Sequence, residues 1–157
     1  MKLKDPNTIV GLVLAGFVAL TLSLNGGLAS VSAAAQNGRL LLAKECSQYT
    51  GVPGGFCTFT STNLAQIRVG SRVYYSQAFG TPPGLDSNVV LDDMTGLGNR
   101  AVGRCTLDAQ TFLGLCTFSD GTGELAGFEA RVDVDCRPQG SPCTWDGTYS
   151  FRPLPRR

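Results

Sequence analysis

The 157-residue sequence predicts an all-β fold, a single antiparallel β-barrel stapled by disulfides. Three observations carry that expectation. Short segments alternate apolar and polar residues, turn-forming residues separate them, and six cysteines include two pairs at one repeated spacing. Strict alternation places one face of a strand in a core and the other in water, because successive side chains point to opposite sides.

The clearest strand is "FEARVDVDC". Phe128, Ala130, Val132, Val134 and Cys136 share its apolar face, while Glu129, Arg131, Asp133 and Asp135 share the other. In "IRVGSRVYYSQAF" the same phase puts Ile67, Val69, Val73, Tyr75, Gln77 and Phe79 inward, with Arg68, Arg72 and Tyr74 outward. Further strands are expected at "SNVVLD", "NRAVGRCTLD", "GLCTFS" and "CTWDGTYSF", and a weaker one at "FCTFT". "TPPGLD", "TGLGN", "SDGTG" and "RPQGSP" carry the turn chemistry that separates hairpin strands. "DGTG" therefore reads as a turn between strands, since no helix follows to hold a phosphate at its amino terminus. Six to eight such strands form a sandwich or close on themselves, and closure removes exposed edges, which favours a barrel. "AQNGRLLLAKE", before Cys46, reads either as a short helix or as an arm over the barrel end.

The cysteines narrow the register. Cys46 and Cys57 stand eleven positions apart, as do Cys105 and Cys116, each second cysteine opening a Cys-Thr-Phe run. Pairing Cys105 with Cys116 aligns Thr106 with Leu115 and Leu107 with Gly114, leaving "AQTF" as an ordinary hairpin loop. Cys136 and Cys143 bracket "RPQGSP" in the same manner. Cross-strand disulfides between directly opposed residues fit all three spacings. A redox-active pair would show a CxxC motif, and zinc would require tight cysteine spacing or histidines, of which the chain has none. No metal site is expected.

Lys2 and Lys4, the apolar run from Ile9 to Leu24 and the small residues of "ASVSAAAQ" follow the order of a secretory signal. The expected organisation is a signal over residues 1–33, an arm and first stapled hairpin over 34–66, and the main part of one barrel domain over 67–157. The apolar run is short for a bilayer span, and no cysteine follows it to carry a lipid anchor. Cleavage, a secreted or periplasmic location and no stable membrane insertion are expected. An even cysteine count in a small exported chain suits that oxidising compartment.

Of thirteen basic and twelve acidic residues, the signal holds Lys2, Lys4 and Asp5, leaving eleven of each. With arginines spread singly, the chain has no basic stripe for nucleic acid. Absence of histidine excludes Ser/His/Asp and Cys/His catalysis. With no histidine and one lysine beyond the signal, Lys44, the inventory for acid/base work shrinks to carboxylates, tyrosines and the amino terminus. Asp92 and Asp93 are adjacent, so a strand aims them apart and they read as a solvated strand end.

"VGRCTLDAQTFLGLCTFSDGTGELAGFEARVDV" followed by "WDGTYSF" resembles secreted bacterial proteins with an allene-oxide-cyclase barrel-like domain, related in shape to plant dirigent proteins. The pattern is carried by Gly103, Cys105 and Thr106, by Cys116, Thr117 and Phe118, and by Gly121, Thr122, Gly123 and Gly127. The resemblance implies an eight-stranded antiparallel barrel of lipocalin-like outline with an apolar central cavity and no cofactor. Plant relatives cyclise an unstable fatty-acid epoxide or hold phenoxy radicals for coupling.

The expected activity is binding of a small hydrophobic or aromatic molecule by a monomer or weak homo-oligomer. The pocket residues expected from alternation are Tyr75, Gln77, Ser87, Trp145 and Tyr149, with Arg104 near the mouth. A second reading is a cofactor-free isomerase or cyclase using a mouth carboxylate, with Asp86, Asp92 and Arg104 as the nearest candidates; no catalytic residue is assigned. A third is a structural or surface-interaction protein with a filled barrel.

Overall fold

The computed structural model describes residues 36–80, 84–137 and 142–153. The expected signal segment, 1–33, lies outside them. Among the described residues no helix is long and apolar enough to cross a membrane.

Eight antiparallel strands close into one barrel in sequential order. They are β1 (Asn37–Glu45), β2 (Phe56–Thr62), β3 (Arg72–Tyr75), β4 (Gly84–Asp92), β5 (Arg100–Asp108), β6 (Leu113–Thr122), β7 (Phe128–Asp135) and β8 (Cys143–Phe151). A 3₁₀ turn, Gly123–Leu125, joins β6 to β7. The expected segments become β2 and β4 to β8, with β8 covering "CTWDGTYSF" from end to end. The β5–β6 ladder has the register the cysteine spacing predicts, with Cys105 opposite Cys116, Thr106 opposite Leu115 and Leu107 opposite Gly114.

Two segments differ from expectation. The stretch before Cys46 is neither helix nor arm but a full strand, β1, paired with β8 from Asn37↔Ser150 to Lys44↔Cys143 and with β2 on its other edge. Its alternation is partly hidden because Leu41, on the outer face, is as apolar as its inward neighbours Leu40 and Leu42. The long strand expected over 67–79 shrinks to the four residues of β3. Gly70, at φ +93, turns the chain immediately before it. Ile67 is still buried, but Val69 is exposed and the inward phase lapses beyond Tyr75.

Antiparallel order gathers the carboxyl ends of odd strands and the amino ends of even strands at one mouth. All three disulfides, Cys46–Cys57, Cys105–Cys116 and Cys136–Cys143, lie at that end. Each joins directly opposed positions of one hairpin, with Cα atoms 4.1–4.3 Å apart. Such cystines belong to an oxidising compartment.

Below this level the lumen is packed by aromatic rings. Phe59 meets Trp145 edge-on at 5.2 Å, Trp145 meets Phe118 at 5.8 Å, Phe118 meets Phe128 at 5.9 Å, and Phe128 meets Phe151 at 5.4 Å. Such tilted pairs add to the stabilisation from burial alone. Leu64, Ile67 and Leu125 close the far end from the connecting loops.

Asp93 ties that end together, and here the reading of Asp92 and Asp93 as one solvated strand end needs correction. Asp92 pairs outward with Arg100 at 2.8 Å, whereas Asp93 is only 4% exposed. Its carboxylate accepts from Asn99 Nδ2 at 2.6 Å and from the Thr95 amide and hydroxyl at 3.0 and 2.8 Å. Asn99 Oδ1 in turn accepts from the Glu124 amide at the 3₁₀ turn. Burial pushes the Asp93 carboxyl up, but the Thr95 and Asn99 bonds and the Arg68 charge outweigh it and hold it below its usual value.

Two stability outcomes follow. Replacing Cys105 and Cys116 together by alanine should cost about 2–3 kcal/mol, read as a lower urea midpoint. Asp93→Ala strands Asn99 and the Thr95 donors and should cost about 1–3 kcal/mol by the same assay.

Candidate functional site

Above the aromatic packing, the mouth opens into a cavity of about 790 Å³. That volume falls in the range of small-molecule sites. All six half-cystines contribute to its wall, joined by Leu85, Leu107 and Val134 from β4, β5 and β7. Tyr49, Phe79, Phe112 and Pro142 from the connecting loops also line it. The cavity exists because of what stands at this level of the staves. A half-cystine bonds its neighbour along the wall rather than reaching across the lumen, so this tier is lined where the tier below is filled.

One residue breaks the apolar character. Lys44, on β1, follows Leu40 and Leu42 on the inward face, and its side chain lies in the cavity lining while only 4% exposed. The pairing of β1 with β2 shifts register between Ala43 and Lys44. Nζ donates to the Tyr75 hydroxyl and sits 4.8 Å from the centre of the Trp145 ring and 5.1 Å from that of Tyr75. Facing aromatic rings partly replace lost hydration. Among the described residues Lys44 makes no ion pair. A buried ammonium without a counter-charge gives up its proton readily, and burial pushes Lys44 from its ordinary 10.5 down to about 7.

The phenols beside it are held neutral. Burial, then the neighbouring Tyr49, pushes Tyr75 well up. Tyr49 packs with its ring tilted 56° at 5.0 Å from Tyr75, is itself pushed up by burial, and has a buried hydroxyl without a hydrogen-bond partner among the described residues. At neutral pH the floor therefore presents an amine close to its titration midpoint beside two protonated phenols.

The residues expected to form a pocket separate into several places. Tyr75 lines the cavity, and Tyr74 points outward as its alternation requires. Trp145 is inward but lies under Lys44 as part of the packed core, its indole Nε1 buried without a partner among the described residues. Tyr149 is inward near the far end, against Gly38 and 6.0 Å from Phe151. Ser87 is fully buried, but its hydroxyl serves backbone, accepting from Gln77 N at 3.1 Å and donating to Asn88 O at 2.7 Å.

Gln77 is outside the lumen. The strand ends at Tyr75, and the Gln77 amide oxygen accepts from the Asn88 amide on the exposed side. Arg104 also faces outward, in a two-pronged pair with Asp86 at 2.7 and 2.6 Å. Both of those side chains are more than half exposed. Asp92 is at the opposite end from the cavity. The expected mouth carboxylates thus do not meet at the cavity.

Lys44 is the buried cavity residue that pattern reasoning leaves unplaced. Its signal was present in the phase of β1, where Leu40, Leu42 and Lys44 alternate with Arg39, Leu41, Ala43 and Glu45. No group of His, Cys, Asp and Glu suited to a metal ion occurs among the described residues. Neither protein-family models, nor curated proteins, nor solved structures match the chain.

The lysine carries a pH signature. Between about pH 7 and 10.5 the unfolded chain holds a proton that folded Lys44 has released, so this group raises stability as pH rises through that window. Below about 7 the folded chain bears the full cost of burying the charge. Lys44→Met should therefore stabilise the fold by about 1–4 kcal/mol at pH 6, with the gain shrinking towards pH 10, as measured by urea denaturation across that range.

Proposed function

We propose that the chain is an extracytoplasmic binding protein that holds a small, mostly apolar or aromatic molecule in the cavity at the disulfide end. The observation that carries this reading is the cavity itself, a chamber of about 790 Å³ set above a packed core in a wall of three cystines. Apolar walls with a few polar groups at one point favour a ligand whose body is hydrophobic and whose single polar end meets the floor. The disulfides and the amino-terminal signal pattern together support export.

The resemblance to allene-oxide-cyclase barrel-like proteins accords with the strand count, but a barrel hosts many activities and the site has to carry the argument. A cyclase using Asp86, Asp92 or Arg104 finds little support, since these side chains are turned away from the cavity. A filled, purely structural barrel fits the aromatic tier and not the tier above it.

Native mass spectrometry of protein purified gently from culture supernatant, before and after denaturation, tests the reading. A small molecule should depart on unfolding, and a neutral fluorescent probe such as N-phenyl-1-naphthylamine should bind the emptied protein. Leu107→Trp should fill the wall and weaken probe binding by roughly tenfold or more. A bare mass with no probe binding would overturn the proposal.

A further inference from the structure

We propose that Lys44 captures a carbonyl compound: the cavity takes an apolar or aromatic aldehyde or ketone, and Nζ binds it as a reversible imine. The inference rests on the binding reading above and specifies its chemistry. Four observations support it. Lys44 stands in the lining of an otherwise largely apolar chamber, so a ligand seated with its body against Leu85, Leu107 and Val134 can bring a polar end towards the amine. No carboxylate among the described residues pairs with Nζ to fix it as the ammonium. The Tyr75 hydroxyl touches Nζ, placing a proton donor and acceptor beside the atom that would attack. Burial keeps that phenol protonated and leaves a large share of Lys44 as the free amine near neutral pH, the form that is nucleophilic.

The step balances without any other reactant. The Nζ lone pair forms a bond to the carbonyl carbon, and the carbonyl oxygen takes up a proton that the nitrogen loses, giving a carbinolamine. The nitrogen lone pair then forms the second carbon–nitrogen bond as the carbon–oxygen bond breaks, and the nitrogen's remaining proton passes to the departing hydroxyl, which leaves as water. Nothing is oxidised or reduced. Tyr75 is placed to relay the proton between nitrogen and oxygen. The apolar chamber limits the water that would hydrolyse the product, while the open mouth lets the ligand leave when hydrolysis occurs.

Lys44 is well placed to be tested because it is the one lysine beyond Lys2 and Lys4. The full chain would be incubated with 2-naphthaldehyde and sodium cyanoborohydride, then examined by intact mass and peptide mapping, with 2-naphthylmethanol as the non-electrophilic counterpart. The expected result is one adduct of the aldehyde's mass less one oxygen, located at Lys44. It should form at least about tenfold faster than at the amino-terminal amines, as a desolvated amine beside a proton donor requires. Lys44→Arg keeps a cation at the floor and should abolish the adduct, and Tyr75→Phe should slow it by roughly tenfold or more. If 2-naphthylmethanol displaces the fluorescent probe but the aldehyde gives no adduct at Lys44, the imine is overturned and the binding reading stands. If neither compound displaces the probe and Lys44 reacts no faster than the amino terminus, both fail together.

Discussion

Everything in this molecule depends on the ladder between its first and last strands. β1 and β8 are separated by most of the chain, yet they pair from Asn37↔Ser150 to Lys44↔Cys143. Without that ladder the eight staves form an open sheet with two exposed edges, and the inward residues lose the far wall they pack against. The ladder also sets the level of the site, because its last rung carries Lys44 and Cys143 together. Loop-closure entropy makes such a distant pairing costly, and the three local disulfides offset part of this by restricting the unfolded chain.

The closed barrel is then divided by side-chain volume. Where Phe59, Trp145, Phe118 and Phe128 enter the lumen, their rings fill it. Glycines on the inner face allow the strands to bend around this packing: at Gly147 an added Cβ would stand 2.0 Å from the Arg131 carbonyl oxygen, and at Gly103 it would stand 2.1 Å from that of Thr117. One tier higher, sulfur replaces aromatic carbon. The same covalent bonds that keep the wall in register leave its centre unfilled, so stability and vacancy at the mouth have one cause. A buried amine is tolerated at this boundary because two aromatic faces and one phenol replace part of its lost hydration, and because it can surrender its charge.

Much of this was legible in the sequence because it is local. Alternation in "FEARVDVDC" and "CTWDGTYSF", the turn residues and the spacing of Cys105 and Cys116 each determine neighbours a few residues away, and strands β5 to β8 follow, with the β5–β6 register. Legibility failed where a long-range partner decides the outcome. β1 is a strand because β8 and β2 flank it, and its outward Leu41 obscures the phase that would have revealed Lys44. The inward position that alternation predicts for Gln77 extends a phase that the chain abandons after Tyr75. Arg104 and Asp86 face each other across β4 and β5 on the outer surface, an outcome of inter-strand pairing that no single segment states.

The distribution of the cystines has a mechanical consequence. Three of the eight seams around the mouth are welded, at β1–β2, β5–β6 and β7–β8, and the staves between β2 and β5 are not. The shortest stave, β3, lies in that unwelded arc and carries Tyr75, the phenol that touches Nζ. The longest run of rim without a covalent staple therefore holds the strand that gives the amine its partner, while the other unstapled seams, β6–β7 and β8–β1, each stand alone between stapled ones.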